Sequence, residues 1–70
     1  MKEMKCKCVI GKNKDNRINA IIRCDKIKVE DFSESRCEYT VYIYKAYMHD
    51  GILCYDLTGT LFCNKYEIEE

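Results

Sequence analysis

Six cysteines, at positions 6, 8, 24, 37, 54 and 63, give this 70-residue chain most of its chemical potential. Three uses compete for them. A disulfide framework needs an oxidising compartment, and the start of the chain, Met1-Lys2-Glu3-Met4-Lys5-Cys6, lacks the apolar core of a secretory signal. A reducing, cytoplasmic location is therefore expected, unless a signal has been removed. Structural zinc needs four ligands converging as a tetrahedron, usually from Cys-x-x-Cys knuckles. Cys6-x-Cys8 has a different spacing, though on a strand it would place both thiols on one face. The favoured use is free thiols acting as small apolar side chains, because Cys24, Cys37, Cys54 and Cys63 all have apolar neighbours in strand-like segments. No metal and no other cofactor is expected.

Side-chain base catalysis usually enlists histidine, and the chain has one, His49, beside a turn signal to which Asp50 is committed. There is no Gly-rich phosphate loop, no pair of acids at a defined spacing and no Cys-His-Asn order with family-like surroundings. No catalytic residue is assigned, and a non-enzymatic protein is expected.

The elements that position these residues read as strands. β-branched and aromatic residues recur at a period of two between clusters of turn formers. A first strand is expected over about Met4 to Ile10, with Met4, Cys6, Cys8 and Ile10 on one face. Gly11-Lys12-Asn13-Lys14-Asp15-Asn16 follows as a polar turn. Ile18, Ala20, Ile22 and Cys24 alternate in phase, but Ile27 and Val29 fall on the opposite phase, so a β-bulge or tight turn is expected near Asp25-Lys26. A short helix over Ile18, Ile21, Ile22 and Asp25 is the competing reading. Asp31-Phe32-Ser33-Glu34-Ser35 reads as the next connection.

The third strand, Cys37 to Met48, is the most informative. Asp50-Gly51 is a strong two-residue hairpin signal, which would set His49 against Ile52, Met48 against Leu53, Ala46 against Tyr55, and Lys45 against Asp56 as an ion pair. Leu57-Thr58-Gly59 reads as another reversal, with Gly59 in a G1 bulge, Asp56 facing Thr60 and Cys54 facing Phe62. A two-residue loop would instead set Cys54 against Cys63. A fifth strand then runs from Thr60 to Ile68, before a frayed acidic end at Glu67-Ile68-Glu69-Glu70.

The fold class expected is all-β: one domain over residues 1–70, about five antiparallel strands in a meander, forming a curled sheet or a small SH3-like barrel, with dimerisation as one way to complete it. The third strand is apolar on both faces. Cys37, Tyr39, Val41, Ile43 and Tyr47 lie on one side with Ile52 and Cys54. Tyr42, Tyr44, Ala46 and Met48 lie on the other with Leu53, Tyr55 and Leu57. A strand of this kind needs cover on both sides.

Charge bounds the partners. Twelve basic residues balance twelve acidic ones, so no field of the whole molecule draws it to nucleic acid or membrane. Residues 1–30 carry nine Lys/Arg against four Asp/Glu and residues 31–70 three against eight, giving halves of +5 and −5. No apolar run approaches the ~18 residues of a membrane span. Eight Ile against three Leu and nine Lys against three Arg suggest AT-rich coding, as in viral or plasmid accessory genes.

These features favour a small protein-binding module or inhibitor docking through a tyrosine-rich sheet face or a sheet edge, with Tyr42, Tyr44, Met48 and Tyr55 as contact residues. Two alternatives stand beside it. One is a nucleic-acid-binding barrel using Lys5, Lys7, Lys12, Lys14 and Arg17 on the first hairpin. The other is a homo-oligomer, for example a homodimer, enclosing a small ligand between subunits.

Overall fold

The computed structural model describes residues 1–31 and 37–70. Its strands are β1 (Lys2–Lys5), β2 (Cys8–Lys12), β3 (Ile18–Arg23), β4 (Lys26–Asp31), β5 (Tyr39–His49), β6 (Ile52–Cys63) and β7 (Lys65–Glu69). The described residues are all-β, in two antiparallel sheets of order β1-β4-β5-β6 and β3-β2-β7. The first expected strand (β1 and β2) pairs with the second (β3 and β4), β4 with β5 and β5 with β6, as in the expected meander. Of the two forms expected, a curled sheet or a small SH3-like barrel, no closed barrel forms, because the strands divide into two open sheets. The connection expected over 31–35 lies, beyond Asp31, outside the described residues.

The first hairpin makes both sheets. β1 meets β4 with Lys5 opposite Lys26, and β2 meets β3 with Cys8 opposite Arg23. The same register runs through the junction, where the Cys6 amide donates to the Asp25 carbonyl (3.4 Å) and the Cys24 amide to the Lys7 carbonyl (3.1 Å). One long ribbon thus bends at Cys6-Lys7 and, at the same level of its other strand, at Cys24-Asp25. Met4 and Cys6 face inward before the bend, and Val9 and Gly11 after it; Ile22 and Cys24 face inward before, and Ile27 and Val29 after. Bending a ribbon across two sheets changes which side chains meet the core. The phase break expected near Asp25 is therefore a corner, one residue from that position. The helix over Ile18 to Asp25 is absent, and Cys8 and Ile10 do not share a face with Met4 and Cys6.

The polar turn starts later than expected, since Gly11 and Lys12 belong to β2. Asn13 closes it, its Oδ1 accepting from the amides of Asp15 (2.9 Å) and Arg17 (3.0 Å), while Asn16 takes a φ of 64°. Gly11 is needed for close approach: a Cβ there would lie 2.7 Å from Leu61 Cδ2 and 2.9 Å from Asn19 Oδ1.

At the second hairpin, Asp50 (φ 50°) and Gly51 (φ 78°) adopt the positive φ values of a type I′ turn, and the pairs from His49–Ile52 to Lys45–Asp56 are those expected. Lys45 and Asp56 face each other without closing an ion pair; among the described residues Lys12–Glu67 and Lys26–Glu3 do so, and His49 Nε2 lies 3.5 Å from Asp50 Oδ2. The reversal expected at Leu57-Thr58-Gly59 is instead a β-bulge. Leu57 pairs with Tyr44 and Gly59 with Ile43, leaving Thr58 as the extra residue, its hydroxyl donating to the Ile43 carbonyl (3.3 Å). Gly59 is not left-handed. A turn there would have stripped Tyr39 to Ile43 of backbone partners on that side. The bulge lets β6 run on to pair Leu61 with Val41 and Cys63 with Tyr39, so Cys54 meets neither Phe62 nor Cys63 and Asp56 does not meet Thr60. After Asn64 the chain crosses to the other sheet, where β7 pairs with β2. Glu67 to Glu69 are therefore laddered, with Ile68 opposite Val9.

The core lies between the inner faces: Val9, Ile27, Val29, Val41, Ile43 and Leu61 with Cys6, Cys24 and Cys63. Of the four thiols expected as core side chains, Cys24 and Cys63 are buried, joined by Cys6, whereas Cys37 and Cys54 are only half-buried; all six cysteines are free. Among the described residues no group of His, Cys, Asp or Glu is arranged to hold a metal ion.

Candidate docking surface

β4 reaches β5 as far as the pair Lys26–Tyr44. Beyond it, residues 45–49 and 52–56 form a two-stranded arm of about 15 Å at ~3.3 Å per residue. Its base is tied down by Asp25 at the corner. The Asp25 amide donates to the Tyr44 carbonyl (2.9 Å), and Asp25 Oδ2 accepts from the Ala46 amide (2.7 Å). No sheet covers either face of the arm.

Alternation and register put Ala46, Met48, Leu53, Tyr55 and Leu57 on the arm's outer face, continuous with Tyr42 and Tyr44, and put Tyr47, Ile52 and Cys54 on the other. The exposures are large: Met48 64%, Ile52 66%, Leu53 53%, Leu57 56% and Tyr47 43%. Tyr42, Tyr44 and Tyr55 are half-buried. Stems from β4 lie over them, with Lys26 Nζ 4.1 Å from the centroid of the Tyr55 ring and 5.1 Å from that of Tyr44, and Lys28 Nζ 5.4 Å from Tyr44. Lys26 also meets Glu3 at 3.1 Å, and its hydrogen bond and charge hold the Glu3 carboxyl below its ordinary value. Tyr42 donates to Glu30 Oε2 (3.0 Å), and that bond and the Glu30 charge raise the phenol's pKa. Asp56 across the arm, then Cys54, raises that of Tyr47.

The structure therefore gathers Tyr42, Tyr44, Met48 and Tyr55 on one side of one sheet. The tyrosines form its partly covered root, with bare Leu57 beside Tyr44, and farther out the apolar surface continues on Met48 and Leu53. Ile52 and Tyr47 add a second face. The alternation signal that marked Tyr42 and Tyr44 already carried Leu53 and Leu57. Lys26 and Lys28 had no signal of their own, since only the pairing of β4 with β5 sets them among the rings.

The five cations of the nucleic-acid reading are not collected on one hairpin face. Lys5 is on β1 in the four-stranded sheet, Lys7 at the corner and Lys12 on β2, paired with Glu67 at 2.8 Å; Lys14 and Arg17 are in the turn. His49 is exposed at the arm's tip beside Asp50, 3.5 Å away.

These features define a class by architecture: a two-sheet antiparallel β protein with a projecting apolar hairpin. No family model, curated protein or solved structure matches the chain. Among the described residues no helix is long and apolar enough to cross a membrane.

Proposed function

We propose that this chain is a non-catalytic protein-binding module, an adaptor or inhibitor, that docks through the arm and the adjoining outer face of the four-stranded sheet. The observation that carries this reading is the arm's apolar exposure on both faces. Burying a side chain such as Leu, Ile or Met yields about 1.5–3 kcal/mol relative to leaving it in water. Met48, Leu53 and Leu57 are more than half exposed on one face of a short ribbon and Ile52 on the other, apolar exposure of the kind that marks interaction sites. The arm's charges favour an apolar protein surface over a polyanion, since residues 45–57 hold one Lys and two Asp. Tyr44 and Tyr55 at the root are suited to an interface rim, with rings that bury area and hydroxyls that stay wet.

The test is the Met48→Ser/Leu53→Ser variant, which removes one cross-strand pair from the outer face. A protein retained by the immobilised wild-type chain, once purified, should bind the variant at least about tenfold more weakly, as loss of one or two interface anchors does. Unchanged affinity would remove the arm from the interface.

A second reading, self-association along β6, is favoured by one feature. β6 is an edge strand of twelve residues with a single charge, Asp56, where exposed edges usually carry charges or proline against pairing. Light scattering distinguishes it: a dimer over the micromolar range supports pairing of copies, and a monomer throughout excludes it.

A further inference from the structure

The corner holds a chemical group that the docking surface does not use. Cys6 closes the inner face of the four-stranded sheet and Cys24 that of the three-stranded sheet. Because the ribbon bends between them, both thiols turn into the core, and their sulfurs lie 3.2 Å apart. Both are buried, at 7% and 2% exposure. The Cys6 and Cys24 amides are each bonded to the opposite strand at this level, so the backbone holds the pair in place. Each residue borders a concavity at the surface, Cys6 one with Lys5, Asp25 and Glu70 and Cys24 one with Cys8, Arg23 and Lys45.

We propose that Cys6 and Cys24 are a redox modification site, closing to an intramolecular disulfide by exchange with a low-molecular-weight disulfide such as oxidised glutathione. Covalent S–S distance is about 2 Å, so the sulfurs need to approach by about 1 Å. Cys6, the less deeply buried of the two, loses its proton and attacks one sulfur of the small disulfide, expelling the first thiolate and leaving a mixed disulfide. The Cys24 thiol then loses its proton, its sulfur attacks Cys6 Sγ, and the second thiolate leaves. In total the two cysteines lose two electrons and two protons, and the small disulfide becomes two thiols. The order follows from burial. Cys24 is the more deeply buried thiol, and desolvation first, then the hydrogen bond with Cys6, push it up to about 12. The product clamps β1–β2 to β3–β4 where the sheets meet, across a separation of 18 residues.

The experiment equilibrates the full chain with reduced and oxidised glutathione, followed by alkylation under denaturing conditions, peptide mapping and thermal unfolding. Expected are a fall from six free thiols to four, one cross-link joining the Cys6 and Cys24 peptides, and a midpoint raised by roughly 10–20 °C, reversed by reductant. Cys24→Ala under the same treatment should form no internal cross-link at Cys6. If that variant fails to fold, the wild-type peptide map still decides. Six free thiols at every ratio, a cross-link from either residue to another cysteine, or an unchanged or lowered midpoint overturns the proposal.

Discussion

Both hairpins are irregular: the first bends at a corner and carries a one-residue bulge at Asn19, and the second carries a one-residue bulge at Thr58. In the first, the phase slips at the same level in both strands, at Cys6-Lys7 and Cys24-Asp25, so the ribbon bends as a unit, joins two sheets and carries Cys6, Val9, Cys24, Ile27 and Val29 inward, while Ile18 and Ile21 stay exposed. In the second, the slip is a single extra residue in one strand, Thr58. That ribbon stays within one sheet, keeps its pairing, and runs past the end of β4 with apolar side chains on both faces. One-residue bulges occur in both ribbons; the ribbon that also turns a corner joins two sheets, and the one that does not runs past the end of β4 as an arm.

Substitutions can break this comparison, and the largest effects belong where the two hairpins share the core. Ile43 of β5 faces Ile27 of β4, both essentially buried. Ile43→Ala should cost about 2–5 kcal/mol in urea unfolding, a large part of what a domain of this size has. Gly11→Val crowds the passage of β2 beneath Leu61 and should cost about 1–3 kcal/mol by the same measurement. Asp25→Ala removes the side-chain link between corner and arm and keeps the backbone one to Tyr44. Its cost should be on the order of 1 kcal/mol, with faster hydrogen exchange at the Ala46 amide as the specific sign.

Alkaline pH sharpens the contrast at the corner. The folded Cys24 pKa is raised from 9.0 to about 12, so the unfolded chain releases its proton first. The stability this contributes is intact below pH 9 and declines as pH rises towards 12. Unfolding midpoints should fall over that window, and less steeply in Cys24→Ala. The smallest stability effect belongs to the arm. Met48→Ser/Leu53→Ser should shift unfolding by no more than about 0.5 kcal/mol, because neither side chain reaches the core.

Local rules carried part of this fold. Asp50-Gly51 dictates its turn through backbone sterics, and the turn sets every pair from His49–Ile52 to Lys45–Asp56. The two-sided apolar pattern of β5 likewise marked Tyr42, Tyr44 and Met48. The corner was legible only as a broken alternation, because a bulge, a turn and a bend between sheets all shift phase by one. Thr58-Gly59 reads as a reversal by residue type, whereas long-range pairing of Tyr39–Ile43 selects the bulge. Ile68 enters the second sheet for the same reason: β2 offers an edge that acidic neighbours do not announce. The placement of Lys26 and Lys28 over Tyr44 and Tyr55 depends on strand order, which alternation does not encode.

The most direct test of the arm as the docking element is amide hydrogen exchange of the chain alone and saturated with its partner. Docking through the arm predicts new protection concentrated in residues 45–57, extending to Tyr42 and Tyr44. Protection confined to β3, β2 and β7, with the arm exchanging as in the free chain, would contradict it.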